Sequence, residues 1–163
     1  MVRVCTRHRN PAVDHGGGLL QSKAMATVFT MIINGEIPGT FVWRDERCVG
    51  FMSINPLAHG HTLIVPIEEV DHWLDARPEL QAHLFDVARQ VGEAQQRAFA
   101  PERVGLMIAG FEVPHLHLHV IPTQEMADLD FANAAASVDP DELQRAADAI
   151  KTELRAVGAP GVV

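Results

Sequence analysis

Three histidines that alternate with aliphatic residues, His115, His117 and His119, are the feature that most constrains the fold of this chain. Strict alternation is typical of a β-strand, because successive side chains of a strand point to opposite faces of its sheet. We therefore predict a strand over residues 113–122, with the three imidazoles in a row on one face. The other face is apolar, and burial in a core is predicted for Leu116, Leu118 and Val120.

The histidine row has three possible interpretations: a solvated strand face, a metal site or a catalytic site. A solvated strand face usually mixes Thr, Lys, Glu and Ser rather than repeating one residue type. A zinc site could use two neighbouring histidines and a ligand from elsewhere, although the outer Cα atoms, about 13 Å apart, are too distant for one ion to use all three. The third possibility is acid–base and nucleophilic chemistry on a phosphate ester or amide. Imidazoles of pKa about 6.5 suit it, because neutral and protonated rings coexist near neutral pH.

Composition limits the partners and the compartment that we expect. A formal net charge of −8 and the lack of a Lys/Arg-rich run disfavour a nucleic-acid polymer as a partner.

No apolar run reaches the roughly 18–20 residues of a membrane span, and no apolar segment follows the N-terminal arginines as a secretory signal requires. The two cysteines, Cys5 and Cys48, lie in unrelated contexts. We therefore expect a cytoplasmic protein, in which a local pocket can still bind a small anion.

The order of the predicted elements indicates an α+β fold. Residues 1–24 lack apolar periodicity, so we expect a disordered or non-native tail followed by one domain over residues 25–163. Besides the histidine strand, strands are predicted at 40–44, 48–53, 61–65 and 104–108. Helices are predicted at 27–33, from Pro78 to before Pro101, and from Asp139 to before Gly158. Residues 123–137 are predicted to be irregular. Strands joined by short loops, with the helices kept apart, imply an antiparallel sheet.

Three segments resemble the histidine triad (HIT) superfamily of nucleotide hydrolases and transferases. His115-Leu116-His117-Leu118-His119-Val120-Ile121 is similar to its signature of three alternating histidines followed by two apolar residues. Gly60-His61-Thr62-Leu63-Ile64-Val65-Pro66 resembles the strand that brings a fourth histidine to the same site, and Ile32-Ile33-Asn34-Gly35-Glu36-Ile37-Pro38 resembles the N-terminal helix and turn. The resemblance covers residues 26–122. It implies an antiparallel sheet of about five strands, a long helix, a C-terminal helix, and a homodimer formed through the long helix and a sheet edge.

The resemblance also implies a mechanism. His117 would attack the α-phosphorus of a purine nucleotide and form a nucleotidyl-histidine intermediate, which water would hydrolyse to a nucleoside monophosphate. His119 would contact the phosphate or protonate the leaving group, while His115 and His61 would hold His117 in its productive tautomer. Backbone N–H groups near Gly110 would stabilise the anion, so no metal and no other cofactor is expected. The implied substrates are nucleoside phosphoramidates or dinucleoside polyphosphates, cleaved at a P–N or P–O–P bond.

The family's base and ribose pocket maps onto the first helix and the second strand, at Val28, Phe29, Ile32, Phe51, Met52, Ser53 and Ile54. Ser53 stands where many relatives carry an aspartate that accepts both ribose hydroxyls, and a serine makes a weaker, neutral contact. Glu112 stands where a hydroxyl residue usually contacts phosphate, and it would repel the anion unless it turns away or meets a substrate amine or cation. Thr27 and Thr30 replace a cysteine pair that holds half of a zinc site, so that zinc is expected to be absent.

Two other functions stay open at this point. The departures at Ser53 and Glu112 are compatible with a nucleotide-binding or interaction module that has little activity. A metal-dependent hydrolase would instead use His115, His117 and an outside ligand. His119 favours hydrolysis, because the uridylyltransferase branch of the superfamily typically has glutamine at the third histidine position.

Overall fold

A computed structural model describes residues 26–163, which form a five-stranded antiparallel sheet with helices packed against both faces. The strands are β1 (Phe41–Arg44), β2 (Cys48–Met52), β3 (Thr62–Pro66), β4 (Arg103–Met107) and β5 (Leu118–Thr123). The helices are α1 (Val28–Ile33), α2 (Pro78–Phe99) and α3 (Pro140–Ala156), and two 3₁₀ turns follow β5 at Met126–Leu129 and Phe131–Asn133. Across the sheet the order is β1-β2-β3-β5-β4. The predicted α+β class is confirmed, whereas the tail expected over residues 1–24 lies outside the described residues.

The two faces of the sheet pack against different helices. One face forms a large core with α2 and α3, and the predicted apolar side of the histidine segment lies in it, at Leu116, Leu118 and Val120. The opposite face forms a smaller cluster with α1, made of Phe29, Val49, Phe51, Leu63 and Val65. His117 lies on this second face, where its ring contacts Phe29. The alternation therefore separates the apolar side chains from the imidazoles, as predicted.

Local sequence signals set the ends of the helices. Thr27 precedes α1, and its hydroxyl oxygen accepts the N–H of Thr30 at 3.1 Å. Pro78 occupies the first turn of α2, where its missing N–H costs nothing. Asp139 caps α3 by accepting two of the free N–H groups of the first turn through Oδ1. Within the described part of the chain, no helix is both long enough and apolar enough to cross a membrane.

The histidine strand is shorter than predicted. β5 begins at Leu118, so His115 and His117 lie in the segment that leads into it, of which residues 111–115 form bends. The physical reason is a change of partner, because β3 pairs with β5 only from Leu118 onwards. Before that residue, the Leu116 N–H donates instead to the carbonyl of Val70, at 2.6 Å. The side chains nevertheless keep their alternation from Leu116 onwards, with Leu116 in the large core and the ring of His117 beside Phe29.

Gln95 donates hydrogen bonds to the backbone next to both His61 and His119. It is fully buried on α2, and its Nε2 donates to the carbonyl of Gly60 at 2.9 Å and to that of Val120 at 3.1 Å. Gly60 directly precedes His61, and Val120 directly follows His119. Buried carbonyls that lose their donor are costly, so this side chain matters for the ends of β3 and β5.

We expect Gln95→Met to lower the free energy of unfolding by about 1–3 kcal/mol, because the buried carbonyl of Val120 loses this donor while the volume is nearly kept. The carbonyl of Gly60 retains a bond from the hydroxyl of Thr62, at 3.0 Å. Gln90→Met is the matched control on the same helix, where the amide only bonds to the exposed Asp86; its effect should stay within about 0.5 kcal/mol. Denaturant unfolding followed by circular dichroism measures both. Equal stability of the two variants would contradict this role.

Candidate active site

His117 is held in one tautomer by the backbone. Its Nδ1 lies 2.7 Å from the carbonyl oxygen of His115. A carbonyl can only accept, so Nδ1 carries the proton, and Nε2 of the neutral ring has a free lone pair. This Nε2 makes no hydrogen bond to any residue between 26 and 163, and the ring packs edge-on against Phe29 with 5.0 Å between centroids. The arrangement presents an unprotonated ring nitrogen of fixed orientation, which is what a nucleophile requires.

In His119 the proton lies on the other ring nitrogen, Nε2. The Leu57 N–H donates to Nδ1 of His61 at 3.1 Å, which leaves the proton of the neutral His61 ring on Nε2. That Nε2 lies 3.0 Å from Nδ1 of His119, so His119 accepts there and carries its own proton on Nε2. The rings of His117 and His119 are adjacent, with centroids 4.8 Å apart. One ring therefore offers a lone pair and its neighbour an N–H donor.

Two predicted roles need correction. His61 was expected to hold His117, but its ring bonds to His119, because β3 runs beside β5 and not beside the segment before it. His115 was expected to act on His117 through its imidazole, but it acts through its carbonyl, and its fully buried ring is engaged elsewhere. His115 Nε2 donates to the carbonyl of Pro66 at 2.8 Å.

The other nitrogen of His115 is fixed by a chain of hydroxyls that the sequence analysis did not anticipate. Thr27 Oγ1 lies 2.9 Å from Nδ1 of His115 and donates to it, since Nε2 already carries the proton. Thr27 is also 3.0 Å from Thr30 Oγ1, and Thr30 donates to the carboxylate of Glu69 at 2.5 Å. Only the tertiary structure brings Glu69 here. The chain anchors His115, whose carbonyl in turn orients His117.

These hydroxyls do not suit a zinc ion. Zinc in proteins is bound by thiolates, imidazoles and carboxylates, and Thr27 and Thr30 supply none of them. Within residues 26–163 the single group of three potential ligands that come within reach of one ion is Asp45, Cys48 and His83, outside the triad. There the Trp43 indole donates to Asp45 Oδ2 at 2.7 Å and His83 Nε2 lies 2.9 Å from the same oxygen, while burial raises the pKa of the Cys48 thiol. The group is a hydrogen-bonded support between the β1–β2 turn and α2.

Burial keeps the imidazoles of the site neutral. It lowers the pKa of His61 to about 3 and that of His119 to about 4, and neighbouring imidazoles add to both shifts. Burial also lowers the pKa of His117, although its hydrogen bond to the carbonyl of His115 and the negative charge of Glu112 act in the other direction. The reference pKa of imidazole, about 6.5, predicts neutral and protonated rings side by side near neutral pH. Without an anion bound, desolvation favours neutral rings instead.

The residues predicted to bind the nucleotide separate into three groups. Phe29, Phe51 and Ile32 cluster beside His117, with the Phe29 and Phe51 rings in edge contact at 5.6 Å. Val28 and Ile54 are exposed, and Ser53 lies at the rim between them and the loop that carries His61. Met52 is the exception: it packs into the large core on the opposite face, because it neighbours Phe51 along a strand. Met52 therefore does not face the Phe29–Phe51 cluster, but it lines a cavity together with Ser53 and His61, and its role in binding the nucleotide stays a prediction.

Gly110 and Phe131 complete the surroundings of the triad. Gly110 lies in the turn after β4 with a φ of +79°, and a Cβ there would meet no atom within 4 Å, so this backbone is open to a ligand. Phe131, which the sequence analysis left in an irregular segment, packs its ring edge-on against His119 at 5.2 Å. A lone aromatic residue in a stretch of small residues was the signal that could have found it.

Comparisons with known proteins agree with this geometry. The family model described as the HIT domain matches residues 34–126. An uncharacterized HIT-like protein of Methanocaldococcus jannaschii is 37% identical over 103 residues, which cover 60% of this chain and 79% of that protein. An Arabidopsis thaliana protein named adenylylsulfatase HINT3 is 29% identical over 117 residues, 68% of this chain and 59% of that protein. The crystal structure of a HIT-like protein from Bartonella henselae superposes with a TM-score of 0.71 at 28% identity, over 78% of this chain and 96% of that one. Since the family model spans more than half of the sequence and the triad lies within it, the chain belongs to the histidine triad (HIT) domain family.

Proposed function

We propose that this protein is a nucleotide hydrolase that cleaves a P–N or P–O–P bond at the α-phosphate, through an intermediate in which the nucleotide is bonded to His117. The observation that carries the proposal is that two adjacent rings have different tautomers. His117 offers the lone pair of Nε2, and His119 offers the proton of Nε2. The name of the Arabidopsis relative, an adenylylsulfatase, supports hydrolysis as the type of reaction.

In the first step, Nε2 of His117 forms a bond to the α-phosphorus and the bond to the leaving group breaks. Nδ1 keeps its proton and shares it with the carbonyl of His115, which stabilises the positive charge on the bonded ring. When a P–O–P bond breaks, the next phosphate leaves as an anion that accepts a hydrogen bond from His119. An amine needs a full proton, and the bound phosphate favours the protonated His119 ring that supplies it, because an opposite charge raises the pKa of an imidazole. The protonated ring gives up its bond from Nε2 of His61, since Nδ1 of His119 then carries a proton of its own.

In the second step, water attacks the phosphorus and the bond to His117 breaks, so that a nucleoside monophosphate is released. After departure of an amine, the neutral His119 takes the proton of this water. After departure of an anion, the proton passes to solvent. Both routes return the two rings to their starting forms. The nucleoside, proposed to carry a purine, would lie against Phe29 and Phe51, and the N–H groups near Gly110 would contact the phosphate.

We also propose that residues 25–163 act as one domain and associate as a homodimer. β4 is an edge strand of the sheet and carries the exposed Leu106, while the long α2 exposes Phe85. An exposed edge strand with an apolar side chain is suited to pairing with a second copy. A cytoplasmic location is the remaining part of this proposal, in keeping with a reduced Cys48.

Replacing the nucleophile should abolish turnover. We expect His117→Gln to lower kcat by at least about 10³-fold with an adenosine phosphoramidate, because no other group takes over the attack. Intact-mass spectrometry of alkaline-quenched wild type should show an adenylyl adduct that the variant lacks. The exposed His59, replaced by alanine, is the control that keeps both adduct and activity. Chelator-sensitive turnover would favour a metal hydrolase, nucleotide binding without turnover would favour a binding module, and full activity of His117→Gln would remove the mechanism.

The dependence of activity on pH follows from the lowered pKa values. With a dinucleoside polyphosphate, kcat/KM should fall as pH decreases, because protonation removes the lone pair of His117, and the midpoint should lie below about 6.5. Glu112→Gln should move this midpoint to lower pH, since the charge of Glu112 favours the protonated ring. Circular dichroism at each pH separates loss of activity from unfolding. A midpoint at or above that of a free imidazole would contradict a buried, neutral nucleophile.

The hydroxyl of Thr27 should act as a positioning group. Thr27→Val leaves Nδ1 of His115 without its donor, and we expect kcat to fall roughly 10- to 100-fold with little change in KM, because a small displacement of a reacting group costs up to about that factor. Thr27→Ser keeps the hydroxyl and should restore most of kcat. Steady-state kinetics are measured well below the melting temperature, since the valine also removes the α1 cap. Equal losses with valine and serine would mean that the methyl group, and not the hydroxyl, matters.

A further inference from the structure

Phe131 is an aromatic ring that lies beside the proton donor of the site and is still open to solvent. Its centroid is 5.2 Å from that of His119, with an angle of 74° between the rings. Nevertheless 46% of Phe131 remains exposed, in a chain whose other site aromatics, Phe29 and Phe51, are buried. A large apolar surface next to a reactive N–H is suited to contact with part of a substrate.

The position of Phe131 is fixed by its own segment. The carboxylate of Asp130 accepts the N–H of Ala132 at 2.9 Å and closes the 3₁₀ turn. The side-chain amide of Asn55 donates to the carbonyls of Ala135 and Ala136, at 3.1 and 2.7 Å. These bonds clamp the segment to the loop before His61. A ring held in place in this way binds a ligand at little ordering cost.

An in-line displacement at phosphorus places the nucleoside and the leaving group on different sides of the site. The attacking and leaving groups lie roughly in line through the phosphorus, so the leaving group is directed away from Nε2 of His117. His117 contacts Phe29 on the side where the nucleoside is proposed to bind. His119, which faces the leaving atom, contacts Phe131. Asn133 and Ala135, which follow Phe131, line a cavity of about 320 Å³ together with His61, the residue whose ring bonds to His119.

Charge limits the kind of leaving group further. Glu112 places a negative charge near His117, where the α-phosphate is proposed to bind, and this charge opposes a substrate that carries several further negative charges. A neutral amine with an apolar or planar substituent avoids this repulsion and gains contact with an aromatic ring. The two observations point to the same class of leaving group.

We propose that Phe131 is a specificity-determining residue, which selects nucleoside phosphoramidates whose leaving amine carries a planar apolar group close to the nitrogen. This inference rests on the proposed function, whose P–N cleavage it deepens. The ring of the amine packs on the open side of Phe131 while His119 protonates the nitrogen, and the P–N bond breaks as the bond from His117 to phosphorus forms.

The test compares adenosine 5′-phosphoramidate with its anilide in wild type, Phe131→Ala and Met126→Ala, the last being an exposed apolar residue of the same segment. The ratio of variant to wild-type kcat/KM cancels the different reactivities of the two amines. We expect Phe131→Ala to lose roughly three- to tenfold with the anilide and less than about twofold with the unsubstituted amide. Met126→Ala should change neither. Equal losses with both substrates would mean that Phe131 only supports His119, and would overturn the inference.

Two further measurements separate this inference from the proposed function. The anilides of guanosine and adenosine 5′-phosphoramidate should lose the same factor in kcat/KM when Phe131 is replaced by alanine. A loss that depends on the base would place Phe131 against the nucleoside and overturn the proposal. The second measurement is calorimetric binding of adenosine 5′-benzylphosphonate and adenosine 5′-methylphosphonate, in which a P–CH₂ group replaces P–NH and no bond can be cleaved. Wild type should bind the benzyl compound roughly three- to tenfold more tightly, and Phe131→Ala should bind both alike. Equal affinities in wild type would overturn the inference even if the protein proves to have no hydrolase activity.

Discussion

The hydrogen bond from Nδ1 of His117 to the carbonyl of His115 is the interaction on which the rest of the site depends. It fixes both the tautomer and the direction of the ring that we propose as nucleophile. The bond requires that His115 itself cannot move. The buried ring of His115 meets this requirement, because the carbonyl of Pro66 and the hydroxyl of Thr27 hold its two nitrogens. One histidine thus serves as an anchor so that the next can react.

Desolvation gives the site its second property. The imidazoles of His61 and His119 are buried and linked to each other, and the N–H of Leu57 sets the direction of the protons along the pair. Since burial lowers the pKa of each ring, the ligand-free site has little standing positive charge, although it is expected to bind an anion. The charge needed for a leaving amine is then induced by the phosphate itself. Such coupling ties proton uptake to substrate binding.

The sheet supplies the frame for this pair. His119 lies directly opposite Leu63 in the β3–β5 ladder, close to His61, which directly precedes β3. Gln95 of α2 bonds to a carbonyl next to each of these histidines, from the opposite face of the sheet. The reactive face is therefore positioned by strand register and supported from the core. Membership of the HIT domain family and the antiparallel α+β fold, both expected from the sequence, are confirmed.

The sequence by itself determined the features that depend on neighbouring residues, namely the alternation of side chains and the starts of helices. The alternation around His117 predicted which side chains are buried and which face the site, and single residues such as Thr27, Pro78 and Asp139 marked the helix starts, because side-chain period and capping depend on neighbours along the chain.

Only the tertiary structure decided which ring each histidine meets. The predicted pairing of His61 with His117 was wrong, since strand register is set by contacts distant in sequence, and the same contacts put Met52 on the face of the sheet opposite to Phe51. Glu69 and Phe131 joined the site for the same reason: no local pattern marks a residue whose partner lies far along the chain.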